Sequence, residues 1–299
     1  MDASGATATT LIPLTRGAAV RWAREMLAAA GIESPREEAD ALLSAAVGGP
    51  RYASYLDPGA AVSEDEHARF VAMARRRAQR EPIQYVIGRE TFCGLDLAVT
   101  PDVLIPRPET EGVVAAALDA LGGRERPTVA DVGTGSGAIA LAVASARPDA
   151  VVYAVDRAAR ALEVARRNAR GLGLSDRVRF VEGDWFAPLI ALGVRVDVLA
   201  SNPPYVADAE YERLQPEVRF EPAQALLGGP DGLGFYRRIV SEAGSVLAPG
   251  GRVVSELGFG QADAVRTLAE RAGFAVERVD DDANGIARVM TLARPTTWT

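Results

Sequence analysis

The chain has 299 residues, 48% of them hydrophobic, enough for one large domain and one small one. All 33 basic residues are arginine, and there is one histidine (His67) and one cysteine (Cys93). This excludes Schiff-base and P-loop lysines, histidine-centred triads, Cys/His zinc sites and an internal disulfide, so no metal is expected. The net charge of −7 argues against a broad phosphate-binding surface and stable nucleic-acid binding.

Residues 1–14 contain Asp2 and no signal-length apolar core, and no stretch approaches the ~18 apolar residues of a membrane span. They read as a disordered tail on a cytoplasmic, monomeric protein without membrane contact. Residues 15–85 then read as a small helical domain. Ser34-Pro35-Arg36-Glu37 and Ser63-Glu64-Asp65-Glu66 each place Ser at N-cap and Glu at N3, predicting two capping boxes. Ala39, Leu42, Leu43, Ala46 and Val47, and later Phe70, Val71 and Ala74, recur at helical spacing. His67 falls at a polar helix start and reads as a surface residue. Arg75-Arg76-Arg77 with Arg80 reads as a solvated helix face.

Residues 86–110 form the predicted linker. A β-hairpin turns around Gly94, with Cys93 expected to pack as a small hydrophobe, and Leu104-Ile105-Pro106-Arg107-Pro108-Glu109-Thr110-Glu111 leads into a helix. Arg107 and Glu109 fit a site role and a salt-bridged linker equally well. Residues 111–299 alternate strands and helices. Strands are predicted over 128–132, 151–155, 177–181, 196–201, 252–256, 275–279 and 286–292; helices over 138–146, 160–171, 235–247 and 261–272. The alternation predicts an α/β, doubly wound, seven-stranded, mostly parallel sheet with ligands at the carboxyl ends of its strands.

Four of those ends carry candidate chemistry. After the first comes Asp131-Val132-Gly133-Thr134-Gly135-Ser136-Gly137-Ala138, where glycines let the backbone approach a ligand and a helix start offers free N–H groups. Asp156 ends the second strand, 19 residues past Gly137, where a carboxylate can accept from both hydroxyls of a ribose. The loop alone leaves NAD and S-adenosylmethionine open. Asp131 suits a methionine amino group better than a pyrophosphate, and Asp184 and Trp185 after the third strand suit an adenine amine and ring. After the fourth strand, Asn202-Pro203-Pro204-Tyr205 offers a side-chain amide oxygen beside a backbone carbonyl that no proline N–H engages. Such a pair can grip an NH2 group while Tyr205 covers a planar acceptor.

This ordered set resembles the class I S-adenosylmethionine-dependent methyltransferases, with their Rossmann-like fold. Adding Glu81-Pro82-Ile83-Gln84-Tyr85-Val86-Ile87-Gly88, Phe92, the Leu104 to Glu111 run, Gly183-Asp184-Trp185-Phe186, Val218-Arg219-Phe220-Glu221-Pro222 and Asn284-Gly285 with Arg288, residues 15–293 resemble the release-factor glutamine N5-methyltransferases, the HemK/PrmC family. The resemblance implies S-adenosyl-L-methionine as cofactor and, as substrate, the glutamine of Gly-Gly-Gln in class I peptide chain release factors. It makes residues 15–85 a substrate-docking domain and 111–299 the cofactor-binding domain. Asp131, Gly133, Thr134, Gly135, Ser136, Gly137, Asp156, Asp184, Trp185 and Asn202 are then the candidate cofactor residues. Asn202, Pro203 and Tyr205 are the candidate catalytic residues, joined by Pro204, Arg219, Phe220 and Glu221 for substrate. The long connection over 206–234 is the expected wall of the glutamine pocket. The nearest alternative is a DNA adenine N6-methyltransferase, whose acceptor fits the same grip; the acidic charge disfavours it. Glutamine methylation of another protein and a non-catalytic binder of release factors are the other readings.

Overall fold

The computed structural model describes residues 15–49 and 53–294, and the tail expected over residues 1–14 lies outside them. The chain divides into two compact units between Ile87 and Gly88.

The first unit contains α1 (Arg16–Ala29), α2 (Pro35–Val47), α3 (Ala53–Leu56), α4 (Glu64–Ala78) and α5 (Ile83–Ile87). The apolar stripes of α1, α2 and α4 meet around Leu27, Leu42, Leu43, Phe70 and Ala74, as helical spacing requires. Only one of the two predicted capping boxes forms. At α4 the Ser63 hydroxyl accepts from the Glu66 N–H (3.3 Å) and the Glu66 carboxylate accepts from the Ser63 N–H (2.9 Å). Ser34 stands at ψ 61°, off the extended geometry that aims an N-cap hydroxyl along the helix, and makes no side-chain cap bond. The arginine cluster is likewise not a uniformly solvated face. Arg77 is buried against Glu38 (2.5 Å), Arg76 pairs with Glu81 (2.5 Å), and Arg80 donates to the Gly31 carbonyl (2.9 Å). His67 is half-buried rather than on the surface.

The second unit opens with the hairpin β1 (Arg89–Phe92) and β2 (Leu95–Ala98). Its two-residue turn puts Cys93 at φ 48° and Gly94 at φ 74°. Strand twist favours this paired left-handed turn, and it forces the Cys93 side chain outward. Cys93 is therefore exposed rather than packed. There follow α6 (Glu111–Leu121), β3 (Thr128–Val132), α7 (Ala138–Ala146), β4 (Val151–Asp156), α8 (Ala159–Gly171), β5 (Val178–Glu182), α9 (Ala187–Ala191), β6 (Val196–Ser201), α10 (Gly234–Glu242), β7 (Leu247–Glu256), α11 (Ala262–Arg271), β8 (Ala275–Asp281) and β9 (Ala287–Ala293).

These seven strands form one sheet of order β5-β4-β3-β6-β7-β9-β8, in which only β9 runs against the rest. Alternation along β3 feeds two cores. Val129 packs with Val113 of α6 and Leu141 of α7, whereas Ala130 and Val132 join Ile239 of α10 and Val265 of α11. Both faces are thus covered, which is why the central strands read as apolar runs. The helix predicted over 235–247 ends at Glu242, because a short turn at Ala243–Ser245 lets Leu247 enter β7 opposite Val196. Among the described residues no helix is long and apolar enough to cross a membrane.

Candidate active site

The strand order reverses between β3 and β6, which are neighbours while β4 and β7 lie on their outer sides. A crevice opens at the carboxyl ends of such strands. Here it is a cleft of about 720 Å³, counted to its open mouth, and Gly133, Gly135, Asp156, Asp184, Trp185, Asn202 and Pro204 all face it.

One side of the cleft is built from backbone. Gly133 and Gly135 adopt φ 78° and 54°, and at neither would a Cβ have an atom within 4 Å, so the bare chain borders open space. The Gly133 and Thr134 N–H groups donate to the Val155 carbonyl (2.9 and 3.0 Å), binding the loop to the end of β4. Asp156 is aimed by two backbone donors: Gly135 N–H to one carboxylate oxygen and Ala158 N–H to the other, each at 2.9 Å. Thr134 and Ser136 are buried and do not face the cleft. The Thr134 hydroxyl donates to Asp131 (2.5 Å), while the Ser136 carbonyl accepts from Asn168 (2.9 Å). Asn168 also exchanges two bonds with Ala98 of β2 (2.7 and 3.0 Å), tying hairpin, α8 and glycine loop together. Gly137 has a packing role, since a Cβ there would lie 3.0 Å from Leu141 and 3.2 Å from Ala165.

Asp131 lies wholly buried beneath this loop. Its Oδ2 accepts from Thr134 and from the Ala140 N–H (3.1 Å), but its Oδ1 has no partner among the described residues. Burial pushes the carboxyl up to about 7 despite those two bonds. An orphaned carboxylate oxygen of this kind suits a cationic ligand group.

The aromatic wall is Trp185, stacked on Phe235 (4.9 Å, 25°) and sitting at φ 54°, an unusual conformation for a bulky residue. Asp184 pairs with Arg238 (2.6 Å), whose guanidinium lies 5.6 Å above the Trp185 ring.

The opposite side is built from side chains. Asn202 Nδ2 donates to Thr110 Oγ1 (3.1 Å), Thr110 donates to Glu256 Oε2 (2.5 Å), and the Tyr205 hydroxyl donates to Glu256 Oε1 (3.2 Å). Glu256 is almost wholly buried, and desolvation pushes it up to about 7. Tyr205 is fixed at its other end by the Gln261 side chain, which donates to its carbonyl (2.9 Å). Pro203 and Tyr205 do not line the cleft itself.

The connection after β6 contributes a wall, but through other residues than expected. Pro222, Gln224 and Ala225 face the cleft, whereas Arg219 pairs with Glu212 (3.5 Å) and Phe220 is exposed. The buried Glu221 carboxylate accepts from Arg107 and from the Ile105 N–H (2.9 Å), latching this connection to the linker. Arg107 thus has a defined partner. Sequence reasoning missed Thr110, Glu256, Phe235 and Gln224. Glu256 alone carried a signal, a carboxylate closing an apolar central strand next to the one that ends at Asn202. Among the described residues no cluster of three or more His, Cys, Asp or Glu could hold a metal ion.

Residues 18–88 match the family model described as the PrmC N-terminal domain, and residues 113–232 the methyltransferase small domain. The chain is 45% identical to the release factor glutamine methyltransferase of Geobacter sulfurreducens, over 90% of this chain and 93% of that one. It is 47% identical to that of Burkholderia pseudomallei, over 81% and 87%. A crystal structure of a methyltransferase from Pyrococcus furiosus shares the fold at 22% identity, with a TM-score of 0.50 over 67% of this chain and 89% of that one.

Proposed function

Because the chain belongs to the release factor glutamine methyltransferases, we propose that S-adenosyl-L-methionine is its methyl donor and that Asn202 positions the accepting amide. The acceptor is the side-chain nitrogen (N5) of the glutamine in Gly-Gly-Gln of class I peptide chain release factors, and the enzyme works as a cytoplasmic monomer. One observation carries this reading: Asn202 faces the same cleft as Asp156 and the bare glycine loop.

The cofactor supplies an electrophilic methyl group on a sulfonium sulfur. Asp156 is placed to accept from ribose hydroxyls, Asp131 Oδ1, without a partner among the described residues, to receive an ammonium group, and Trp185, backed by Phe235, to lie beside an adenine. Asp184 reaches the adenine amine only through the carboxylate capacity that Arg238 leaves open.

An amide nitrogen is a poor nucleophile, because its lone pair is shared with its carbonyl. Asn202 Oδ1 and the Pro203 carbonyl accept its two N–H bonds and aim it at the methyl group. As positive charge grows on nitrogen those acceptors bind it more tightly, so they favour the transition state. Tyr205, anchored through its hydroxyl and its carbonyl, shelters the amide plane. The N-protonated product loses its proton to water, and no strong base is required. Residues 206–234 and the N-terminal helical unit supply the contacts to the release factor.

The test is incubation of the full chain with labelled S-adenosylmethionine and purified release factors, followed by mass spectrometry of the Gly-Gly-Gln peptide. One added methyl group on glutamine is expected. Label on DNA adenine at a comparable rate, or on another protein instead, would overturn the substrate.

A further inference from the structure

We propose that Glu256 is a positioning residue that sets, through Thr110, which end of the Asn202 amide faces the methyl acceptor. The inference rests on Asn202 accepting from the substrate amide, and goes beyond it by naming what forces that orientation.

A threonine hydroxyl has one proton to give. Thr110 lies 2.5 Å from Glu256 Oε2, and an ionised carboxylate can only accept, so the Thr110 proton points at Glu256. Thr110 Oγ1 is then left with lone pairs for its other neighbour, 3.1 Å away, and only the NH2 end of Asn202 can satisfy them. Asn202 Oδ1 is thereby turned away from Thr110 and freed for a ligand. A substrate NH2 meeting an acceptor is held; the same group meeting Asn202 Nδ2 would be opposed donor to donor. Tyr205 donates its hydroxyl to the other Glu256 oxygen (3.2 Å), which leaves Oε2 to accept from Thr110.

A protonated Glu256 loses this directionality. Its own O–H can donate to Thr110, which can then donate to Asn202 Oδ1 and reverse the amide. The groups facing Glu256 bear on where this happens. Glu109, on the turn before α6, opposes ionisation, and Arg288 of β9 favours it. Tyr205 donates to the carboxylate, and Tyr236 of α10 donates to the Glu256 main-chain carbonyl (3.0 Å). With burial dominant, the carboxyl is pushed up to about 7.

Methyl transfer to a release factor under single-turnover conditions, measured from pH 5.5 to 9, tests the relay. Activity of the unmodified enzyme is expected to rise with pH through an inflection at about 7, as Glu256 ionises. Glu256→Gln, whose amide can present either end to Thr110, is expected to lose about tenfold or more in rate and to lose the inflection, with donor affinity unchanged. Thr110→Val should do the same, Thr110→Ser should restore most of the rate with its pH dependence, and combining Glu256→Gln with Thr110→Val should be no worse than either alone. If Glu256→Gln fails to fold, the Thr110 pair decides alone. A Thr110→Val enzyme with the normal rate and pH profile would overturn the relay. Asn202→Ala separates the two levels: if it is impaired while both relay variants are normal, only the relay fails; if it is normal, the underlying reading of Asn202 fails.

Discussion

The two sides of the cleft are built by opposite means. On one side, the contiguous loop 133–137 is tied to the end of β4 by main-chain N–H groups and two N–H groups aim Asp156, with the Asp131 carboxylate buried beneath them. On the other, Asn202, Thr110, Glu256 and Tyr205 meet across 92, 146 and 51 residues of sequence, and every link is a side chain. A backbone cradle fixes where a ligand lies; its main-chain donors do not titrate, and proton dependence enters it through the buried Asp131 carboxylate. A side-chain relay fixes which way a group points, and it inherits the titration of its buried carboxylate.

Changes on the side-chain side should move turnover, and changes on the backbone side should move ligand affinity. The largest effect is expected from Asn202→Ala: a loss of about 10²–10³ in single-turnover rate, with donor binding by calorimetry nearly unchanged. Equal losses in both quantities would erase the distinction. Glu221→Gln should follow. It weakens the latch to Arg107 and the Ile105 N–H, and is expected to lower stability by about 1–3 kcal/mol in denaturant titration while raising KM for the release factor more than it lowers kcat.

Asp131→Asn tests the backbone side through pH. The folded carboxyl is raised to about 7 by burial, above its unfolded value near 3.8, so its ionisation destabilises the fold progressively between those values and fully above the upper one. The variant should therefore be more stable than the parent at pH 8, by roughly 1–3 kcal/mol, and equal to it near pH 4, while binding S-adenosylmethionine more weakly. Thermal melts at the two pH values check the sign. The smallest effect is expected from Gly135→Ala. It places a side chain at φ 54° at a cost of about 1 kcal/mol, seen as roughly fivefold weaker donor binding with little change in the rate at saturation.

The same contrast explains what the sequence revealed. The strands and the glycine loop are local patterns: alternation, apolar runs and turn residues lie side by side in the chain, and β3, β4, β6 and α7 stand where that pattern puts them. Asn202 was legible for the same reason, as part of a contiguous Asn-Pro-Pro-Tyr. Thr110 was not, because it is unremarkable among its own neighbours, and Glu256 showed only as a carboxylate closing an apolar strand; both acquire meaning when β6 and β7 pair and the turn before α6 packs against them. Ser34 and Cys93 fail differently. Their residue types favour a cap and a buried site, but backbone geometry decides, with ψ 61° at one and a left-handed turn at the other.

The Asn168 amide, shared between the Ala98 backbone and the Ser136 carbonyl, has a practical corollary for dissecting the chain. Together with Phe92 and Leu97, which sit in the same core as Val129 and Leu141, it makes the hairpin an organ of the methyltransferase unit rather than a detachable tether. A chimera that grafts a foreign recognition module onto this enzyme should be cut before Gly88; a cut just ahead of Glu111 would keep every glycine of the loop and remove the brace that holds it.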